Sequence, residues 1–325
     1  MNAQDGLASR SPTGLRRLGT HIELRMLLLT VLVMLAISAV SPHFRTLNNM
    51  LNLMDQSVVV GMVALGQTVV ILIGGIDLSV GSLAGVTGII LGLSFPSLGL
   101  FGGILACLAS GALAGAVNGV ITIFGRVAPF VVTLGMMSIG RSLAYVLSGA
   151  SSISNIPPRL GDLANDAVLG VPLNFIILIA AYLLAWWFLT RAKGGRTLYA
   201  IGSNAAAARV AGLSIALWSV LAYVLSGLMS AVSTIFLTSR ILSIDPVGGT
   251  GLELDSIAAV VIGGTSLFGG RGSIIGTLFG VFIMVFIRNA LNLLGVSPYW
   301  QGTAIGSIII AAVLLERALS SRGRS

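Results

Sequence analysis

Apolar runs close to the length that crosses a bilayer recur from residue 26 to residue 316. A helix needs about 20 mostly apolar residues to span a hydrocarbon core about 30 Å thick. Lipid offers the backbone no hydrogen-bond partners, so such runs fold as helices that satisfy their own amides and carbonyls. Ten spans are expected, near 26–40, 55–73, 79–93, 101–123, 128–148, 172–190, 215–238, 255–268, 273–293 and 301–316. The eighth is short and opens on Glu253 and Asp255, which suits a broken or tilted span. Only 9% of the 325 residues are charged, against roughly 25% in a soluble domain. The expected class is all-α, a polytopic helical membrane protein of about ten transmembrane helices.

Charge sets the expected orientation, because Lys and Arg accumulate in cytoplasmic segments. With the N-terminus inside, the inner segments hold Arg10, Arg16, Arg17, Arg25, Arg126, Arg191, Lys193, Arg196, Arg209, Arg271, Arg317, Arg322 and Arg324. The outer segments hold only Arg45, Arg159 and Arg240, and they collect Asp162, Asp166, Asp245, Glu253 and Asp255. Both termini are therefore expected in the cytoplasm. Residues 1–25 form one tail, 26–316 a single transmembrane domain and 317–325 a second tail. The basic excess reads as topology rather than as a nucleic-acid surface. Arg10, Arg16 and Arg17 before the first apolar run imitate a signal peptide, but the many later spans make that run an uncleaved helix.

Catalytic constellations are missing from the sequence. The single lysine, Lys193, has its glycines on the wrong side for a phosphate-binding loop. His21 and His43 flank the first span, and Cys107 is the only cysteine. No metal site, cofactor or enzyme activity is expected, and passage across the membrane remains. Polar residues inside spans are the pointers to a path, because each is costly unless paired or facing water. Gln67, Asn118, Thr133, Asn289, Asn292 and Gln301 are the candidates, with interhelical hydrogen bonding as the competing role for each. Arg288 is near enough to a span end to snorkel. Arg141 lies mid-helix and needs a partner. Glycines four apart (Gly111, Gly115 and Gly119; Gly276 and Gly280) favour close helix packing.

Two inner segments carry distinctive grammar. In IGGIDLSVGS (73–82), Gly74 and Gly75 can end one helix. Asp77 can then accept hydrogen bonds from the free amides near Ser79 at the start of the next. That places the Asp77 carboxylate at a wet membrane boundary. An echo, IGGTSLFGG (262–270), matches IGGIDLSVG (73–81). The inner loop 191–214 contains SNAAAARVA (203–211), a Ser-Asn start and an alanine body that predict a capped, solvated helix between Gly202 and Gly212. The outer loop 149–171, rich in Ser, Asn, Pro and Gly, suits a segment facing a soluble partner.

Five blocks in fixed order carry a family resemblance: IGGIDLSVGSLAG (73–85), GRVAPFVVTLGMMSIGRSL (125–143), GRTLYAIGSNAAAARVAGL (195–213), ELDSIAAVVIGGTSLFGGRGSIIGTL (253–278) and NALNLLGVSPYWQ (289–301). From about residue 26 onward the chain resembles the permease subunits of bacterial ABC importers for ribose, xylose, arabinose and galactose-type sugars. The resemblance implies an ABC importer permease fold in the bacterial inner membrane and a dimer of permease subunits, identical or related. It also implies two cytoplasmic ATP-binding subunits and a periplasmic sugar-binding protein. It makes the inner loop the coupling helix, with Gly202, Asn204, Ala207, Ala208, Arg209 and Gly212 on the family pattern. Ala206 stands where that pattern has an acid, which leaves Arg209 more of the docking electrostatics. A related importer for nucleosides, branched-chain amino acids or a furanosyl signalling molecule is the near alternative. An ion-coupled carrier using Asp55 and Asp77, or a membrane scaffold, are the distant ones.

Overall fold

The ends of the helices are set by local chemistry. In the computed structural model, which describes residues 22–297, 299–307, 310, 311 and 314, α1 covers Ile22–Val40. A 3₁₀ turn at Pro42–Arg45 leads to Thr46, whose hydroxyl accepts from the Asn49 amide at 3.3 Å and caps α2 (Leu47–Leu72). The third and fourth expected spans form one continuous element, α3 (Val80–Phe124), broken at Gly99 with φ 66° and ψ −175°. Glycine takes that backbone conformation without strain, so one residue serves as the whole loop. Next come α4 (Pro129–Ser148), a short α5 (Asp162–Asn165) and a two-stranded ribbon joining Ala167–Val168 to Val171–Pro172. The chain continues through α6 (Leu173–Arg191), α7 (Lys193–Ser203), α8 (Ala205–Val210), α9 (Ile215–Ile241), α10 (Leu252–Ile262) and α11 (Ile274–Leu293). Residues 299–307 are helical. Among the described residues, seven helices are long and apolar enough to cross a membrane, α3 counting once. The chain is a multi-pass membrane protein. The tail 317–325, most of the tail 1–25 and the end of the tenth span lie outside the described residues.

The bundle is built around α2, which packs against α6, α9, α10 and α11. Its Val58, Met62, Val63, Val70, Ile71 and Leu72 are almost wholly enclosed. By contrast α1 lies at the edge and leaves Leu28, Leu32 and Leu35 exposed, the surface expected of a lipid-facing helix. The segments expected inside meet at one end of the bundle: the 73–79 turn, α7, and the 263–273 turn. The segments expected outside meet at the other, where Ile153 and Ile244 exchange backbone hydrogen bonds of 2.9 Å. These ends are called the α7 face and the α5 face.

Close approach through glycine sets the helix pairs. The C-terminal half of α3 lays Gly111, Gly115 and Gly119 against the α9 backbone, and a Cβ on Gly111 would stand 2.5 Å from the Gly227 carbonyl oxygen. Similarly, α11 brings Gly276 and Gly280 onto the backbone of Gly263 and Ala259. The N-terminal half of α3 instead receives a non-helical segment, a run of turns that begins after Ile244. Ile244 lies by Gly88 and Gly92, the Pro246 carbonyl by Gly85, and Gly249 by Gly81.

That segment explains the short eighth span. α10 has 11 residues, about 16 Å of rise and half of a bilayer core. Its first residue, Leu252, packs with Val59 and Val63 in the middle of α2. The preceding residues from Ile244 complete the crossing without helix. Their polar backbone is paired locally: Gly248 N–H donates to Asp245 O at 2.9 Å, Thr250 N–H to Val247 O at 2.9 Å and Leu252 N–H to Gly249 O at 3.2 Å. The expected break is real, and it falls before α10 rather than inside it.

Because Gly115 leaves no room for a side chain against Tyr223 O, Gly115→Leu is expected to destabilise the detergent-solubilised protein by about 1–3 kcal/mol. A Cβ on Gly135 meets nothing within 4 Å, so Gly135→Ala should leave the thermal midpoint unchanged. Thermal unfolding of the two variants side by side checks the packing.

Candidate functional site

The α7 face carries a layered site whose lowest layer is a pair of matched helix ends. α2 ends as Gly74 N–H donates to Ile71 O (2.9 Å) and Gly75 N–H to Val70 O (3.0 Å), with Gly74 at φ 82°. α10 ends the same way: Gly264 N–H donates to Val261 O (2.9 Å) and Thr265 N–H to Val260 O (3.1 Å), with Gly264 at φ 84°. Both are left-handed glycine caps closed by crossed hydrogen bonds. The I-G-G echo marks this shared geometry but is out of register by one residue, since Gly74 is equivalent to Gly264 and not to Gly263. The two turns then join each other, Gly270 N–H donating to Leu72 O at 2.9 Å.

α7 lies directly on this joint. It buries Gly194, Gly195, Thr197, Leu198 and Ile201 and ends at Gly202, where a Cβ would stand 2.5 Å from Gly270 N and closer still to Leu72 O. The Tyr199 hydroxyl donates to Gly272 O at 3.0 Å, and the Ser203 hydroxyl to Gly270 O at 3.3 Å. The chain then turns at Asn204, extended at φ −162° and ψ 98°, whose side chain accepts from Ala207 N–H at 3.0 Å and caps α8. The capped helix expected over 203–211 is α8, opened by Asn204, while Ser203 closes the separate helix before it. Gly212, at φ 75°, ends α8 with Leu213 N–H donating to Ala208 O at 3.1 Å. Within α8 only Ala208 is buried; Ala206, Ala207 and Arg209 are exposed, and Val210 is 91% exposed.

Asp77 sits one layer deeper. Its carboxylate is fully enclosed, not at a wet boundary. It does accept from Ser79 N–H at 3.0 Å, and also from the Ser79 hydroxyl at 2.5 Å and from the Ser226 hydroxyl of α9 at 2.8 Å. Gln67, with its amide turned as its partners require, donates to Asp77 O at 3.1 Å and accepts from Asp77 N–H at 3.2 Å. Asn118 donates to the Ser79 hydroxyl at 2.9 Å, and the Thr133 hydroxyl to Ile76 O at 3.1 Å. Five elements therefore meet on one turn: α2, both halves of α3, α4 and α9.

The six expected path residues consequently fall into two groups that do not share a surface. Gln67, Asn118 and Thr133 hold the 73–79 turn. Asn289 exchanges amide hydrogen bonds with Asn49 (2.9 and 3.1 Å), and Gln301 donates to Asn292 at 2.6 Å. Polar groups that instead face a cavity belong to other residues. The Arg288 guanidinium donates to the Asp255 carboxylate at 2.6 Å, beside Gln56, Arg240 and Thr250, around a space of about 270 Å³. Arg288 is therefore paired and not snorkelling alone. Arg141 finds Glu253 at 4.0 Å, between α4 and the start of α10. The signal was available: two acids open the short span, and an arginine lies near the same end of a later one. Asp55 accepts from Asn174 at 2.9 Å.

Removing the Asp77 carboxylate leaves several buried donors without an acceptor, at about 1–3 kcal/mol for each unsatisfied group. Asp77→Ala should therefore lower thermal stability more than Ser226→Ala, with Asp77→Asn between wild type and Asp77→Ala. Equal midpoints for the three variants would contradict the arrangement.

The chain is similar to known permeases over nearly its whole length. The family described as "Branched-chain amino acid transport system / permease component" matches residues 49–313. The ribose import permease protein RbsC of Escherichia coli (strain K12) is 42% identical over 298 residues, 89% of this chain and 92% of the relative. RbsC of Bacillus subtilis (strain 168) is 40% identical over 314 residues, 94% of each chain. The D-allose transport system permease protein AlsC of Escherichia coli (strain K12) is 33% identical over 299 residues, 90% of each. A metal-chelate type ABC transporter in an inward-facing conformation shares the fold, with a TM-score of 0.50 and 16% identity over 92% of this chain and 98% of that one. With its half-helical eighth crossing, matched helix-end turns and family match from residue 49 to residue 313, the chain belongs to the family of transport-system permease components that includes the ribose import permeases.

Proposed function

We propose that this chain is the membrane-spanning permease subunit of an ATP-driven importer for a monosaccharide of the ribose class. In this reading a separate cytoplasmic subunit hydrolyses ATP, a periplasmic binding protein delivers the sugar, and two permease subunits form the path in a bacterial inner membrane. The α7 face is cytoplasmic, as are both termini, in keeping with the excess of Lys and Arg in the segments expected inside.

One observation carries the proposal: the exposed, capped α8 follows directly on α7, which is seated without side-chain slack on the ends of two spans. Gly202 brings the α7 backbone against Leu72 O at the end of α2 and Gly270 N after the end of α10. Pressure on α8 therefore reaches the central helix and the broken helix through backbone contact. Arg209 and Val210 offer a cation and an apolar tip to the ATP-binding partner. ATP-driven closure of two such partners would move two α8 helices and reorient the spans. No step in this scheme needs catalysis by the permease itself. The names of the ribose and allose relatives support a sugar cargo over the amino acid named in the family's description.

Arg209→Glu reverses the exposed charge of α8 while leaving its cap and its buried Ala208 in place. It should cut co-purification with the ATP-binding subunit by at least about tenfold, as the loss of one charged contact of about 1.4 kcal/mol would, with normal insertion in the membrane. Undiminished co-purification would contradict the docking assignment.

A further inference from the structure

The cavity of about 270 Å³ beside α10 has a setting that its size alone does not explain. It opens where the eighth crossing changes from a run of turns to helix, and Gly248, Thr250, Leu252 and Asp255 from that junction line it. Irregular backbone at membrane depth is tolerated where it is enclosed by protein or lines a watered space. Transporters place solute sites at such helix breaks, near the middle of the membrane. α2 supplies Gln56 here from its central region, and α9 and α11 supply Arg240 and Arg288.

We propose that this cavity is a transient binding site for a neutral polyhydroxylated solute within the permease, and that Gln56, Thr250, Asp255 and Arg288 are its recognition groups. The inference rests on the reading of the chain as a sugar permease and names the site of that function.

The chemistry of the lining selects the class. Asp255 and Arg288 are bonded at 2.6 Å, so the cavity already pairs its buried carboxylate. Arg240 is engaged by the Asn52 side-chain oxygen. The positive end of the α10 dipole faces Glu253 and Asp255 in its own first turn, which disfavours an added anion there. What remains is a set of both donors and acceptors: guanidinium, carboxylate, amide and hydroxyl. A sugar hydroxyl both donates and accepts, so it can bridge an existing ion pair without breaking it. The apolar part of the lining, valine, leucine and methionine side chains of α2, α9, α10 and α11, suits the C–H face of a sugar ring. Ionisable side chains inside an apolar bundle are costly and mark function by default. The binding-protein partner supplies affinity, so this site need hold the solute only weakly for release.

The test uses the complete importer, permease with ATP-binding subunit and binding protein, in proteoliposomes. Gln56→Ala and Thr250→Ala each remove one polar group and spare the ion pair; co-purification of the subunits reports assembly. Expected is a five- to tenfold loss in the rate of ribose uptake, about what one hydrogen bond supplies, with a changed ratio of ribose to 2-deoxyribose uptake. A second probe does not depend on a loss of rate. Cys107 is buried, so Thr250→Cys introduces the one reactive thiol in this region, and a small water-soluble maleimide should label it and block uptake. Unchanged rate and ratio in both alanine variants, or a Thr250→Cys importer that resists labelling, would overturn the site. Uptake of leucine in preference to any sugar would overturn the polyol assignment. A wild-type assembly with no ATP-dependent uptake of any solute would refute the proposed function instead.

Discussion

Backbone must touch backbone for this bundle to exist, and α3 is where that requirement is met. Its N-terminal half offers Gly81, Gly85, Gly88 and Gly92 to the run of turns before α10, and its C-terminal half offers Gly111, Gly115 and Gly119 to α9. A Cβ on Gly85 would stand 2.7 Å from the Pro246 carbonyl oxygen, so alanine at that position already displaces the segment. With the segment held, α10 can begin in the middle of the bundle, and its first turn can bring Glu253 to Arg141 and Asp255 to Arg288. Lipid provides little hydrophobic drive between helices, so close packing of this kind and interhelical hydrogen bonds are what hold them.

A second layer of order comes from the helix ends on the α7 face. The turns after α2 and α10 are the same crossed-bond glycine cap, and Gly270 ties one to the other. Above them lies α7; below them lies Asp77 with its ring of hydroxyls and amides. The Asp77 carboxylate has no basic partner at hydrogen-bond distance among the described residues, yet it accepts from Ser79 twice and from Ser226 once. A polar network of this kind fixes geometry in a way that apolar contacts do not. Movement imposed at α8 therefore meets a rigid junction of five elements, and the broken crossing at α10 lies next to it.

Much of this was legible in the sequence because it depends on local rules. Span positions follow from apolar length, and the turn at Gly74 and the cap at Asn204 follow from residue type at helix ends. The glycine spacing in the C-terminal half of α3 favours close packing, and the structure supplies α9 as its partner. What escaped was long-range. A cap written as Gly-Gly-Ile-Asp-Leu-Ser reads the same at a wet surface and inside a bundle; only Ser226, 149 positions away, distinguishes them. The path candidates were chosen as uncharged polar residues inside spans, and those residues satisfy one another. The groups around the cavity are ionic, were assigned to span ends, and meet because α10 starts halfway across. The register of the I-G-G echo also misled by one residue, since identity of letters does not require identity of hydrogen bonds.

The central claim is that this chain conducts a sugar only when an ATP-binding subunit drives it. Uptake of labelled ribose into proteoliposomes holding the chain, its ATP-binding subunit and the binding protein tests this most directly. The account predicts accumulation that requires ATP inside the experiment's nucleotide-accessible compartment and vanishes when the ATP-binding subunit is omitted. Ribose accumulation driven by an ion gradient with that subunit absent would contradict it.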